Sequence, residues 1–442
     1  MSSYAKNIRS GRATILKNPF KIKGTACMRF KLVLSLGVLL LAPATYASNG
    51  YFSHGYGAVN KGMGGAGVAW SQDALAAATN PAGMNSVGNK LDFGVELFSP
   101  RRGYEVEGGP SGAPPEGTFY LREGSYRSRQ ESFVIPNFGY NKELADGSTF
   151  GISVYANGNN TDYSSDTYYG GDAGIDLRQV FIAPTYSWRL DDMHVFGVSP
   201  TLVYQTFEFS GVSQFAGLSS NGDRMSDRGP DQSWGYGLTL GWQGALSESI
   251  HAGLSYRTKM RMEKLKKYSG LLAEQGGFDI PASLTAGLAW RGARHNVLFD
   301  IQHIAFSDVK SAANRFLPNL QASRLGDDGG AGFGWKDMTV YKLGYQWDVR
   351  STTSLRAGLN YGKHFVRDSE IFLNLMAPAL PEWHYTAGIS EQLSSKWKVN
   401  GVIYFAKKGA LAAPNPLGPG QTLSTYMYQI AAGVSFTYSL GE

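Results

Sequence analysis

Cysteine is almost missing from these 442 residues: the single one, Cys27, lies in an N-terminal stretch that reads as a leader. A mature chain without cysteine builds no disulfide scaffold and no thiolate zinc site, and it suits export through an oxidising periplasm. Long apolar runs are equally scarce, since beyond Ala47 no stretch approaches the roughly 18 to 20 consecutive apolar residues of a membrane helix. Charge is low at 17%, which argues against a general porin with a charged lumen. No GxSxG occurs, and the seven histidines (His54, His194, His251, His295, His303, His364, His384) show no HExxH or other paired ligand spacing. No catalytic residue, metal or cofactor is therefore expected. Gly62, Gly64 and Gly67 make a formal GxGxxG, but the pattern follows no hydrophobic strand and opens no βαβ unit, so it carries no dinucleotide site.

What is present begins with a targeting signal. The apolar run Leu32 to Ala42 follows Met28, Arg29, Phe30 and Lys31 and precedes the small residues up to Ala47. This is a secretory signal with cleavage expected after Ala47. Residues 1–27 read either as sequence upstream of a true initiator at Met28 or as a long n-region; residues 1–47 together form the expected leader, with 28–47 as the signal peptide. Eight of the 41 basic residues (Lys6, Arg9, Arg12, Lys17, Lys21, Lys23, Arg29, Lys31) lie in it with no acid, leaving 33 against 35 acidic residues. The apparent basicity belongs to the leader, and nucleic-acid binding loses its support.

From about residue 91 to 442 the chain divides into some fourteen short segments of alternating polarity. In the last, Tyr426, Tyr428, Ile430, Ala432, Val434, Phe436, Tyr438 and Leu440 share one face of a strand and small or polar residues the other, as the two-residue period of a strand requires. Connections alternate too. Short turns at 141–147, 190–193, 291–295, 349–353 and 393–396 separate long ones near 101–125, 157–176, 211–232, 264–279, 307–334, 363–383 and 407–424. Short turns on one side and long loops on the other mark an all-β, 14-stranded antiparallel transmembrane β-barrel of the Gram-negative outer membrane. A closed sheet is also the only sheet that a bilayer tolerates. Aromatic residues make up 13%, and Trp188, Trp242, Trp290, Trp335, Trp347, Trp383 and Trp397 sit at segment ends where interfacial girdles are expected.

Residues 48–90 break the pattern. A glycine-rich stretch, an Ala-rich Gln72 to Ala78 that reads as helical, and a turn at Asn80, Pro81, Ala82 and Gly83 are too apolar for a free tail. The lumen is the available place for them, as an N-terminal hatch. The turn, stiffened by Pro81, either sets the hatch conformation through Asn80, Pro81 and Ala82 or merely joins hatch to strand.

These features resemble the FadL-type outer-membrane transporters of long-chain fatty acids and hydrocarbons, which include toluene-uptake relatives. The residues that carry the resemblance are Asn49, Gly50, Tyr51 and Phe52, Gly62 to Gly67 with Ala69, Asp73 to Met84, Pro136 and Asn137, PASLTAGLAW at 281–290, and Trp335, Asp337, Tyr341, Leu343 and Gly344. The resemblance implies a monomer without a water-filled pore, in contact with outer-membrane lipid and lipopolysaccharide. Outer loops would catch a hydrophobic small molecule, which would cross a hatch-gated lumen by passive diffusion and leave through a lateral gap. In the family an inward kink of the third strand makes that gap; here Asn157 and Gly158 are the kink candidates, or else an ordinary strand end. The third and fourth outer loops, with Phe215, Leu218, Leu271 and Leu272 as exposed apolar residues, are the expected capture surface, or else these residues pack on each other as a lid. Long-chain fatty acids are the expected cargo, with aromatic or other hydrocarbons as the alternative and an outer-membrane phospholipase as the rival from another class.

Overall fold

The computed structural model describes residues 49–109, 118–163 and 172–441; the expected leader lies outside them. Sixteen strands occur among the described residues: β1 Lys90–Glu107, β2 Gly124–Arg127, β3 Phe133–Glu143, β4 Thr149–Tyr163, β5 Ala173–Arg189, β6 His194–Ser210, β7 Asp231–Ala245, β8 Ile250–Arg257, β9 Arg261–Met262, β10 Ser283–Arg291, β11 His295–Ile304, β12 Met338–Asp348, β13 Thr353–Gly362, β14 Trp383–Gln392, β15 Trp397–Pro414 and β16 Thr422–Ser439. Fourteen of them form the wall, each antiparallel to the next in chain order, and β16 pairs with β1 from Lys90–Ser439 to Glu107–Thr422 to close it. The short β2 and β9 flank β1 and β7. This pairing closes the sheet into a barrel, the form of sheet that hydrocarbon tolerates.

Along each wall strand the apolar face points out. Phe93, Val95 and Leu97 on β1, Leu284, Leu288 and Trp290 on β10, and Tyr341, Leu343, Tyr345 and Trp347 on β12 are exposed, whereas their neighbours face the lumen. The girdle also forms at the expected rings, with Trp397 tilted against Tyr438 at 4.8 Å and Trp383 against Tyr361 at 4.5 Å. Trp335 is an exception. It lies in a loop and is buried in the lumen, where its Nε1 donates to Asn374 Oδ1 at 2.7 Å.

Several strands outrun the segments expected from hydropathy. β1 continues to Glu107, β4 and β5 span most of the expected 157–176 loop, and β15 and β16 reduce the last loop to residues 415–421. Outside the bilayer the outward residues, such as Glu105 and Glu107, are polar, so the hydropathy signal ends at the interface. Ladder bonding does not end there. β15 passes the interface through a bulge between Ala406 and Gly409.

Residues 49–89 lie in the lumen. They form a short helix Gly57–Gly62 and two 3-10 turns, Ala76–Ala78 and Pro81–Ser86. The expected helix at 72–78 is only its last turn, where Ala78 N donates to Leu75 O at 2.9 Å, and the Ala74 N–H before it is held by wall residue Asp92 Oδ2 at 2.7 Å.

Candidate functional site

The lower lumen, near the short turns, is polar and fastens this segment. Lys61 Nζ meets Glu96 Oε2 at 2.6 Å, and Tyr404 donates to the other Glu96 oxygen at 3.0 Å. Burial pulls the Lys61 ammonium below its ordinary range, and the Glu96 carboxylate opposes that shift. Asp300 Oδ2 accepts the Gly67 and Val68 N–H groups at 2.8 and 3.0 Å. Thr386 Oγ1 accepts from Gly64 N and donates to Gly62 O, both at 3.0 Å. Wall glycines permit this approach: a Cβ on Gly358 would stand 2.0 Å from Gly64 N, and one on Gly241 2.1 Å from Asn80 Oδ1.

The Asn80 turn is fixed to the wall of β6 and β7. Asn80 Nδ2 donates to Val68 O at 2.7 Å and Trp242 O at 2.9 Å, and its Oδ1 accepts Ala82 N at 3.1 Å, capping the following 3-10 turn. Pro81 and Ala82 are buried, and Gly197 lies against the Pro81–Ala82 peptide with room for no side chain.

The third wall strand, β4, leaves its neighbour. The β3–β4 ladder runs from Glu143–Thr149 only to Phe138–Val154. β4 stays paired with β5 as far as Tyr163–Ala173, and its in-out alternation gives way to unbroken burial from Ser153 to Thr161. The departure thus begins at Val154, before Asn157 and Gly158, which lie within the inward stretch. The luminal segment takes up their bonding capacity. Ser53 N and Tyr56 OH donate to Asn157 Oδ1, both at 3.1 Å, and Gly158 N donates to Tyr51 O at 3.2 Å. A window in the wall results, with Phe133 to Asn137 of β3 unpaired on that side.

The upper lumen is aromatic. Tyr51 and Phe52 at the tip of the segment enter a cluster with Phe278, Phe306, Trp335 and Phe365, in which Phe306 and Phe365 stack at 4.8 Å. Above it the outer loops enclose a narrow groove lined by Phe209, Phe215, Leu271, Leu272, Phe316 and Phe333, among others. Phe215, Leu271 and Leu272 are buried in it, contrary to the exposure expected of them, because the third and fourth loops close on each other; Leu218 alone of the four is exposed, at 41%.

Sequence reasoning missed a second, small cavity between the tip of the segment and the wall. Arg257 and Lys342 line it together with Ser255, Ser283, Thr285 and Tyr56. Both cations are buried, at 7% and 6% exposure. Neither has an ion-pair partner within 4 Å among the described residues, and Arg257 Nε has no hydrogen-bond partner. Arg257 lies over the Phe52 ring at 4.9 Å. The available signal was a charge at an inward position of an alternating strand, as in Val340-Tyr341-Lys342-Leu343.

The closed 14-stranded antiparallel barrel is shared by a known group. The family model for outer membrane transport proteins (OMPP1/FadL/TodX) matches residues 39–374. The chain belongs to that family. Among solved structures this outer-membrane transport protein is similar to the toluene transporter TodX of P. putida, 20% identical with TM-score 0.66, covering 88% of this chain and 99% of that one. It is also similar to a FadL homologue of Pseudomonas aeruginosa, 15% identical with TM-score 0.63, covering 90% and 100%. The Ralstonia pickettii toluene transporter TbuX aligns at 16% identity and TM-score 0.57, covering 88% and 99%. No curated protein matches the chain. At these identities the structural likeness speaks for the fold.

Proposed function

We propose that this outer-membrane transporter of hydrophobic compounds carries long-chain fatty acids, as a monomer and by passive diffusion. The observation that supports the reading is the pair Arg257 and Lys342, two buried cations beside an aromatic cluster; the acid opposite Lys342 across the β11–β12 ladder, Asp300, is already engaged by the Gly67 and Val68 N–H groups. A buried charge is costly unless paired, and a carboxylate headgroup supplies the missing partner. The chain then lies among Phe278, Phe306 and Trp335, where each buried methylene contributes about 0.8 kcal/mol.

In this reading the groove at Phe215, Leu271 and Leu272 captures the cargo, and the carboxylate descends to Arg257 and Lys342. Release requires the luminal segment to move, because Tyr51, Ser53 and Tyr56 hold the bent part of β4. Asn80, Pro81 and Ala82 act as the fixed pivot, and the cargo leaves sideways between β3 and the stretch around Asn157 and Gly158.

A second reading is uptake of aromatic hydrocarbons. The groove favours it, being lined almost wholly by apolar groups, and two of the similar structures are of toluene transporters. Uptake of labelled oleate and toluene by cells without their own transporter separates the two. Oleate uptake that falls in an Arg257→Met, Lys342→Met variant supports the fatty-acid reading; toluene uptake alone, indifferent to the variant, rejects it.

A further inference from the structure

We propose that Arg102 forms a second anion site, at the upper rim of the window in the wall, which receives the carboxylate of a fatty acid as it leaves the lumen. The inference rests on the reading that the cargo is a fatty acid and exits through this window.

The window has defined limits. It is closed below where the β3–β4 ladder ends at Phe138 and Val154. Above, Arg129 N donates to Asp162 O at 2.8 Å, Arg129 Nη2 reaches Asp162 Oδ1 at 3.1 Å, and Asp162 N donates to Ser128 Oγ at 3.1 Å. Arg102 stands at this upper limit. It occupies an inward position of β1 and accepts Ser128 N on its carbonyl at 3.1 Å. Its guanidinium lies 5.8 Å from the ring of Phe133, the first residue of β3.

The guanidinium is unsatisfied. Arg102 is 3% exposed, and among the described residues its guanidinium makes one hydrogen bond, from Nη2 to Gln130 O at 3.3 Å. Among the same residues Nε and Nη1 have no partner, nor has the hydroxyl of the fully buried Tyr163, whose ring meets Tyr104 edge-on at 4.8 Å. The nearby carboxylate of Asp176 is engaged by Arg178, with Nε to Oδ1 at 2.9 Å. A buried cation with unmet donors is a poor structural element and a ready anion receptor. Phe98 and Phe133, 6.4 Å apart, offer an apolar surface beside it for the methylene chain. The same donors would suit a phosphate of an outer-leaflet lipid, so the test must separate the two sources.

Cells lacking their own transporter are given the wild type, Arg102→Met or Arg102→Lys, each checked for a folded barrel in the outer membrane. Labelled oleate and labelled hexadecane serve as charged and neutral cargo. Oleate affinity and co-purified lipopolysaccharide are measured on the purified proteins. The expected result is oleate uptake about tenfold lower in Arg102→Met, with hexadecane uptake and oleate affinity unchanged, and recovery in Arg102→Lys. Unchanged oleate uptake overturns the proposal, as does an equal fall for both cargoes, which would mark Arg102 as structural. Loss of lipopolysaccharide without a change in oleate uptake assigns the site to lipid phosphate and overturns it too. A wild type that takes up hexadecane but no oleate overturns it by removing the fatty-acid reading itself, a failure distinct from the others.

Discussion

Around Lys61, Gly67 and Asn80 the luminal segment meets the wall through an ion pair and directed hydrogen bonds, whereas the side chains of its tip, Tyr51 and Phe52, are sunk among aromatic rings and directed bonds there run only to the bent part of β4. The two regions have different tolerances. A directed bond fixes one register and loses its value when displaced by an ångström, while dispersion between rings is exchanged readily for dispersion to a hydrocarbon. The lower region therefore holds the segment in place and the upper one can yield to cargo. In the proposed reading, this division of labour along one forty-residue stretch lets the barrel remain plugged and still admit an apolar molecule.

The contrast is most easily broken at Glu96. Glu96→Leu leaves Lys61 buried without its partner, at a cost of about 3–5 kcal/mol, and is expected to unseat the segment; single-channel conductance in planar bilayers should rise from near zero. A closed channel in this variant would show that the lower contacts do not hold the plug. Gly358→Val follows, since a side chain there meets Gly64 N. Overpacking of about 1–3 kcal/mol should make residues 57–67 accessible to protease while the barrel stays folded.

The upper region should respond more mildly. Phe215→Leu changes groove shape at less than about 1.5 kcal/mol, so thermal stability should hold while the relative uptake of long-chain and aromatic cargo shifts. A large loss of stability would mean that the rings are as register-bound as the lower contacts.

Proton concentration acts on the lower region alone. Burial, reinforced by the Asp92 carboxylate, pushes Asp73 in the luminal segment up to about 7. A raised folded-state value means that the seated segment binds more protons than the released one. Seating is then firmest below the ordinary carboxylate range and weakens as pH rises through about 7. Hydrogen exchange at residues 73–76 should quicken between pH 5 and pH 8, and Asp73→Asn should remove the dependence. The smallest effect belongs to the exposed Leu218, where Leu218→Ala should alter stability by no more than about 0.5 kcal/mol.

The barrel was legible in the sequence because its two signals are local: the alternation of Tyr426 to Leu440 and the alternation of turn lengths. The extent of β1, β4, β15 and β16 was not, because those strands continue in water, where outward residues are polar and only long-range pairing sustains them. Asn80 and Pro81 announced a turn, but its seat on Gly197 and Gly241 depends on two strands more than a hundred residues away. The departure of β4 at Val154 left no mark at that residue, since it is defined by where the pairing with β3 stops. Arg102, Arg257 and Lys342 were visible as inward charges, yet their significance lies in how few acids the neighbouring strands set against them among the described residues, which no single strand reveals.

Calorimetric titration of the purified protein with oleate, oleyl alcohol and toluene, repeated on the Arg257→Met, Lys342→Met variant, tests the central claim most directly. The account predicts that the wild type binds oleate at least about tenfold more tightly than the alcohol of the same length, and that this advantage disappears in the variant while toluene binding is unchanged. Equal affinity for acid and alcohol in the wild type, or an advantage that survives loss of both cations, would contradict it.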